Sequence, residues 1–312
     1  MRIFITGSAG FIGSALANRL VKEGHFVRGL DDLSTGNPQR LLPEVEFHRG
    51  DINDRPKLWT LLQDVDCVYH VAARVVVPES VLFPREYNQV NVGGTVTLME
   101  AMRDVGVRRV VFASSGAIYG NQSEQPVKES AIPQPRSPYA VSKLSAEYYI
   151  HTIGALWGIE TVSLRIFNAY GPGQPMPPTH PPVIPYFLKQ ASLNSTMVVH
   201  GNGTQTRDYV YIDDVVSGLV SAASAKNINR ETINLGSGRE TSVRELTRLV
   251  AQITEKSPEI IFNTRSDGGP SRMCADLTNA REKLGFHPNV PLDLGLEQTF
   301  KSDFKERLKN SA

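Results

Sequence analysis

"TGSAGFIGS" (residues 6–14) joins the apolar run "RIFITG" (2–7) to "SALANRLVKEG" (14–24), where apolar residues recur at helical spacing until Gly24. A strand that turns directly into a helix through Gly7, Gly10 and Gly13 reads as the first unit of an alternating α/β chain. Glycines permit the tight turn and a close backbone approach, and the helix start offers unpaired N–H groups to a pyrophosphate. The spacing is G-x-x-G-x-x-G rather than the usual dinucleotide G-x-G-x-x-G. Three glycines alone serve a packed turn as well as a phosphate cradle, so the surrounding chain has to decide.

Further strands are expected at 25–32, 44–51, 65–73, 107–115 and 159–168, with helices at 90–106 and 137–158. This alternation predicts a Rossmann-type doubly wound parallel sheet, covered on both faces. The character changes after residue 168. "YGPGQPMPPTHPPVIP" (170–185) holds seven prolines and can be neither regular helix nor central strand. Because it follows a strand end and precedes apolar segments, it suits a binding loop. Periodic patterning resumes in "VIPYFLKQASL", "DYVYIDDVVSGLVSAAS" and "TINLGS", then in a helix over 242–255 and a strand-like "PEIIFN". The expected division is a dinucleotide-binding domain over 1–168, to which 207–236 returns. A smaller C-terminal substrate-binding lobe takes 169–206 and 237–312.

Composition narrows the function classes. The 312 residues carry a formal net charge of +1, which gives no basic face for nucleic acid. Two cysteines, Cys67 and Cys274, are too few and too far apart for a disulfide framework or a metal site. No run of 18 apolar residues is present, so no membrane span is expected. A strand candidate beginning at Arg2 leaves no room for a signal peptide, and a cytoplasmic location is the expectation.

Asp31 strengthens the cofactor reading. It ends the second strand 18 residues after Gly13, where a carboxylate accepts ribose hydroxyls and repels a 2′-phosphate. NAD is therefore expected rather than NADP. Asp51 ends the third strand at the same edge, and reaching the adenine amine or capping the next helix are equal alternatives. In "HVAA" (70–73) the small Ala72 and Ala73 let a ligand lie close. "YAVSK" (139–143) places Tyr139 and Lys143 at i and i+4, on one helix face. A phenol is a poor base at neutral pH, and a nearby ammonium favours its phenolate. A Tyr–Lys pair is common by chance; the third group is Ser115 in "SSGAIYG" (114–120), at the end of the fifth strand.

Together these residues resemble the extended short-chain dehydrogenase/reductase family, and within it the NAD-dependent nucleotide-sugar epimerases and dehydratases. The resemblance spans essentially the full length. It implies a tightly held NAD, a Ser115–Tyr139–Lys143 triad, a nucleotide diphosphate sugar as substrate, and a homodimer through the helices at about 91–105 and 139–157. It adds Phe11, Ile12, Asp32, Ser34, Gly36, Ile52, Ser114 and Phe167 to the cofactor set. Asn91 in "NVGGT" joins them, with a satisfied buried amide as its alternative. "LRIFNAYGPGQ" (164–174) implies that Asn168 holds the sugar nucleotide, with Val183 further along. "GNGTQTRDYVYIDDV" (201–215) implies that Arg207 pairs with the phosphates, against the alternative of an ion pair with Asp208. In "DGGPSRMCAD" (267–276), Arg272 is the preferred second phosphate ligand, Arg265 its competitor, and Met273 lines the sugar pocket.

Gly116 and Ala117 choose among the family's reactions. Dehydratases of the family carry an Asp-Glu pair there and decarboxylases a Glu; this chain offers neither acid nor base. The expectation is a 4-epimerase acting on a UDP-hexose, UDP-glucose or its N-acetyl form, through a transient 4-keto sugar. A 4-keto reductase, a UDP-uronate epimerase or an atypical dehydratase stands second, and a non-catalytic NAD-binding sensor third. Two departures stand out: only Arg74 follows "HVAA" where some epimerases have Lys, and Gly173 stands where many relatives have Arg.

Overall fold

Consecutive residues of the first strand serve opposite faces of one sheet. In the computed structural model, which describes residues 1–265 and 269–305, Ile3 and Ile5 join one buried cluster while Phe4 joins the other. The same alternation splits Val111 and Ala113 from Val110 and Phe112 in the fifth strand. Strands buried on both faces need helices on both faces, and truncating such a residue (Phe4→Ala) costs about 3–5 kcal/mol.

The elements run β1 (Arg2–Thr6), α1 (Phe11–Lys22), β2 (Phe26–Asp31), β3 (Glu46–Arg49), α2 (Arg55–Leu61) and β4 (Cys67–His70). They continue as α3 (Val77–Leu82), α4 (Pro84–Asn88), α5 (Gly94–Val105), β5 (Arg109–Ser115), α6 (Pro138–Trp157) and β6 (Glu160–Ile166). These six strands and the later strand Glu231–Leu235 make a seven-stranded parallel sheet, with Glu231–Leu235 beside β6 and then β5, β4, β1, β2 and β3. Strand order reverses between β1 and β4, which opens a crevice at their C-terminal ends.

Helix ends follow local chemistry. Ser137 caps α6, its hydroxyl accepting from the Ala140 N–H with Pro138 at the first helical position, and Gly158 closes the helix at φ 67°. Asp54 caps α2 by accepting from Lys57 N–H. The cap reading of Asp51 is thereby corrected: its carboxylate instead closes a turn with the Asn53 N–H and side-chain amide, at 2.8 and 3.0 Å. Helices α3 and α4 were not foreseen, because "VPESVLFPREYN" carries two prolines and little periodicity. Five residues, Gln89–Gly93, form a π turn ahead of α5.

Beyond the sheet lie three small pairings. Asn168–Tyr170 runs parallel to Tyr209–Tyr211, Thr206–Arg207 antiparallel to Thr241–Ser242, and Met197–His200 parallel to Ile260–Asn263. Among the described residues no helix is long and apolar enough to cross a membrane, and no group of His, Cys, Asp and Glu is placed to hold a metal.

Candidate active site

The glycine turn is built as a cradle. A Cβ on Gly13 would lie 1.9 Å from the Gly7 carbonyl oxygen, and one on Gly7, at φ +70°, would lie 2.7 Å from the Ala72 backbone. These two glycines bring helix, turn and the β4 end together. Gly10 is different: its Cβ would meet only the Gly7 oxygen at 3.2 Å, and it stands at the N-cap of α1, where no side chain caps the helix. The first N–H groups of α1, at Phe11, Ile12 and Gly13, are thus left for an external anion.

Asp31 ends β2 beside this turn, 8% exposed. Its carboxylate accepts from Ala9 N–H at 3.0 Å and Leu33 N–H at 2.8 Å, and Gly36 packs against it. Burial raises its pKa, opposed by these backbone donors and helped by Asp32. Two adjacent acids with no cation between them suit ribose hydroxyls and exclude a 2′-phosphate. Asp32 is engaged locally, accepting from the Ser34 N–H and hydroxyl. Ile52 is buried against Gly94 at the start of α5.

Beneath the crevice lies a buried chain that sequence reading passed over. Thr95 Oγ1 donates to Asn91 O at 2.6 Å, so it accepts from His70 Nε2–H at 2.9 Å. His70 Nδ1 then accepts from Thr6 Oγ1 at 2.8 Å. Thr6 Oγ1 in turn accepts the N–H groups of Val71 and Ala72, which shapes the loop after β4. Burial first, and then Lys143, push the His70 pKa down to about 3, so the ring is neutral.

Asn91 has the bonds of the satisfied buried amide. Its oxygen accepts from Arg74 N–H, and its nitrogen donates to Arg74 O and Ser142 Oγ, all within 3.0 Å. Ser114 also looks inward: its hydroxyl bonds the Glu147 carboxylate, away from the cleft.

Ser115 and Tyr139 meet at a cleft of about 460 Å³. Ser115 caps the short helical turn Gly116–Tyr119, its Oγ accepting from Ala117 N–H at 3.2 Å. Tyr139 is 9% exposed; burial raises its pKa, and only the Ser115 hydroxyl beside it pulls it back. The expected help from Lys143 is absent from that balance. Lys143 is itself 3% exposed, pushed down to about 7 by burial with partial relief from Glu147, and its Nζ lies 4.2 Å from the Phe112 ring centroid. Among the described residues it has no hydrogen-bond acceptor.

Phe167, Asn168, Arg207 and Met273 line the same cleft. Arg207 does not pair with Asp208. It donates to the Thr206 and Pro270 carbonyls, both at 2.7 Å, while the Asp208 carboxylate takes donors from Ser237, Gly238 and Ala275. Arg272 is half exposed, grips Glu240 through Nε and NH2 at 3.0 and 2.9 Å and stands outside the cleft lining. Arg265 is outside that lining too, and Val183 starts a helix packed on the core. Val77 and Arg136 line the cleft without having been singled out; neither belongs to a local motif. At Gly173 the absent arginine has a neighbour from elsewhere, since a Cβ there would lie 3.8 Å from the Arg40 guanidinium carbon.

Residues 3–236 match the model of the NAD dependent epimerase/dehydratase family. The chain belongs to that family. A UDP-glucose 4-epimerase from Mycolicibacterium smegmatis is 38% identical, over 96% of this chain and 97% of that one. The crystal structure of UDP-glucose 4-epimerase from Thermotoga maritima, solved with UDP-glucose, superposes with a TM-score of 0.94 at 34% identity, covering 99% of this chain and all of that one. UDP-glucuronic acid 4-epimerase from Bacillus cereus gives 0.89 at 35% identity, covering 99% and 100%. As a family member the protein is an NAD-dependent enzyme, and the cradle, the paired acids and the acceptor-less Lys143 fit that cofactor.

Proposed function

We propose that the protein is a 4-epimerase of a UDP-hexose, inverting C4 through a transient 4-keto sugar. What supports this reading best is the convergence of Ser115, Tyr139, Asn168, Arg207 and Met273 on one cleft whose strand-end residues Gly116 and Ala117 carry no acid. Bound NAD supplies the acceptor and donor for the C4 hydride. Tyr139 Oη takes the 4-hydroxyl proton and later returns it, and Ser115 Oγ holds the same oxygen by a hydrogen bond. Lys143 offers its N–H donors to the cofactor ribose. Arg207 opposes the diphosphate charge with a planar, permanently charged fork. Gly116 disfavours elimination sterically as well: a Cβ there already meets the Phe167 ring at 3.1–3.2 Å, so an acid would displace Phe167.

In this reading residues 1–168 with 207–236 serve the cofactor, and the lobe expected over 169–206 and 237–312 serves the substrate. A second copy of the chain is the proposed partner. On α6, Val141, Tyr148, Tyr149 and Leu156 are all at least 46% exposed, and the pairs Val141/Tyr148 and Tyr149/Leu156 are each seven residues apart, so the four share one face fit for a helix–helix seam. A cytoplasmic setting goes with the same reading, since nucleotide sugars are made there for use. Incubating the protein with UDP-, dTDP- and GDP-sugars tests the function. Inversion of a UDP-hexose without added NAD supports it; dependence on NADH or NADPH makes the protein a reductase, and no turnover leaves a sensor.

A further inference from the structure

Behind the cleft a charged network crosses the core, and no step of the proposed reaction uses it. Glu147 is 2% exposed and Arg165, on β6, 6%. Arg165 Nε and NH2 clasp the two Glu147 oxygens at 3.1 and 2.9 Å. The Ser114 hydroxyl bonds Glu147 from β5, one residue before Ser115. Arg165 NH1 also donates to the Tyr119 hydroxyl, which donates to Asn234 Oδ1; Asn234 donates onward to Val127 O and Asp276 O. One chain of bonds thus links the Ser115 strand, α6, β6 and the segment that carries Met273.

A buried ion pair is weak evidence of stabilisation, since apolar residues of similar volume often do as well. Its placement is more informative. Tyr139, Lys143 and Glu147 follow at i, i+4 and i+8 on one face of α6. We propose that Glu147 is a positioning residue of the active centre: one helical turn beyond Lys143 on α6, its carboxylate opposes the Lys143 charge and, through Ser114, fixes the Ser115 shelf against α6. The titratable groups about Lys143 are Tyr139 and Glu147 on its own helix and, on β4, His70, which stacks on the Phe112 ring that Lys143 Nζ lies over; Arg165 on β6 and Ser114 on β5 both bond Glu147. Beyond Tyr139 lie Tyr87, bonded to Glu79, and Arg74 over the Tyr87 ring. His70 is neutral and bonded to Thr6 and Thr95, and burial lowers Lys143 while Glu147 acts in the opposite direction.

The inference rests on the reading of Tyr139 and Lys143 as the reacting pair. Its test is the pH profile of turnover in Glu147→Gln, together with NMR titration of ε-carbon-labelled lysine, the Lys143 signal being assigned with Lys143→Met. Losing the carboxylate moves the alkaline limb of kcat, and the Lys143 titration, down by about one pH unit; Glu147→Asp keeps both near wild type. Should Glu147→Gln fail to fold, Glu147→Gln/Arg165→Met also removes the guanidinium left without its partner, and the Lys143 titration is expected to move down in it too. An unmoved Lys143 titration in the folded variant overturns the proposal. A wild type that turns over no UDP-sugar overturns the functional reading alone, because the NMR titration still decides this one.

Discussion

Gly10 and Gly13 separate a phosphate cradle from a merely packed turn. In Gly13→Ala the new methyl would lie 1.9 Å from the Gly7 oxygen, so helix and turn must part by about 1.3 Å to reach the 3.2 Å that Gly10 would show. That displacement breaks the packing of α1 on the sheet, at about 1–3 kcal/mol for overpacking. In Gly10→Ala the neighbour has only to give by a few tenths of an ångström, so the fold stays intact. Its methyl nevertheless sits at the N-cap position of α1, which no side chain caps. The assay pairs a thermal melt with the quantity of NAD released on denaturing the purified protein. Gly13→Ala is expected to lose several degrees of Tm and its cofactor; Gly10→Ala keeps its Tm and loses cofactor. Full NAD content in Gly10→Ala would show that the anion does not sit at this helix start, and a wild-type Tm in Gly13→Ala would refute the packing argument.

Other outcomes follow from the same geometry. Tyr139→Phe removes the proton carrier and should lower turnover about 10²–10⁴-fold while NAD stays bound, measured on the folded variant. Arg207→Ala should raise KM about 10–100-fold through loss of a charge-assisted contact, whereas Arg272→Ala, which only frees Glu240, should change KM less than about twofold. Leu156→Asp on α6 should convert a dimer to a monomer in light scattering; a wild type that is already monomeric removes that assignment. His70 is held neutral in the fold with its pKa lowered to about 3, so the unfolded chain binds the extra proton more readily. Stability from this group is present above pH 6.5 and declines as pH falls toward 3, by a few kcal/mol in order of magnitude. Urea titrations across that range should show a steeper decline for wild type than for His70→Gln.

Much of the fold was legible because its signals are local. The glycine turn, the two-faced strands and the Tyr139–Lys143 spacing each occupy a few adjacent residues, and the observed sheet follows the expected alternation. What escaped reading depends on partners far along the chain. Arg272 belongs to Glu240, 32 residues away, and Asn91 belongs to Arg74 and Ser142. Asp51 lost the cap, one of its two equal alternatives, because Asp54 lies one residue before Arg55, where α2 begins. Glu147 and Arg165 look like ordinary surface charges in sequence, since neither carries a sign of burial until β5, α6 and β6 are packed together. Val77 and Arg136 reach the cleft from segments whose prolines hide their structure.

Labelled substrate tests the central claim most directly. UDP-glucose deuterated at C4 is incubated with the purified protein and no added NAD, and the products are read by NMR. The account predicts UDP-galactose with the deuterium still at C4, because hydride leaves and returns within one closed site. Loss of the label to solvent, or turnover without inversion at C4, would contradict it.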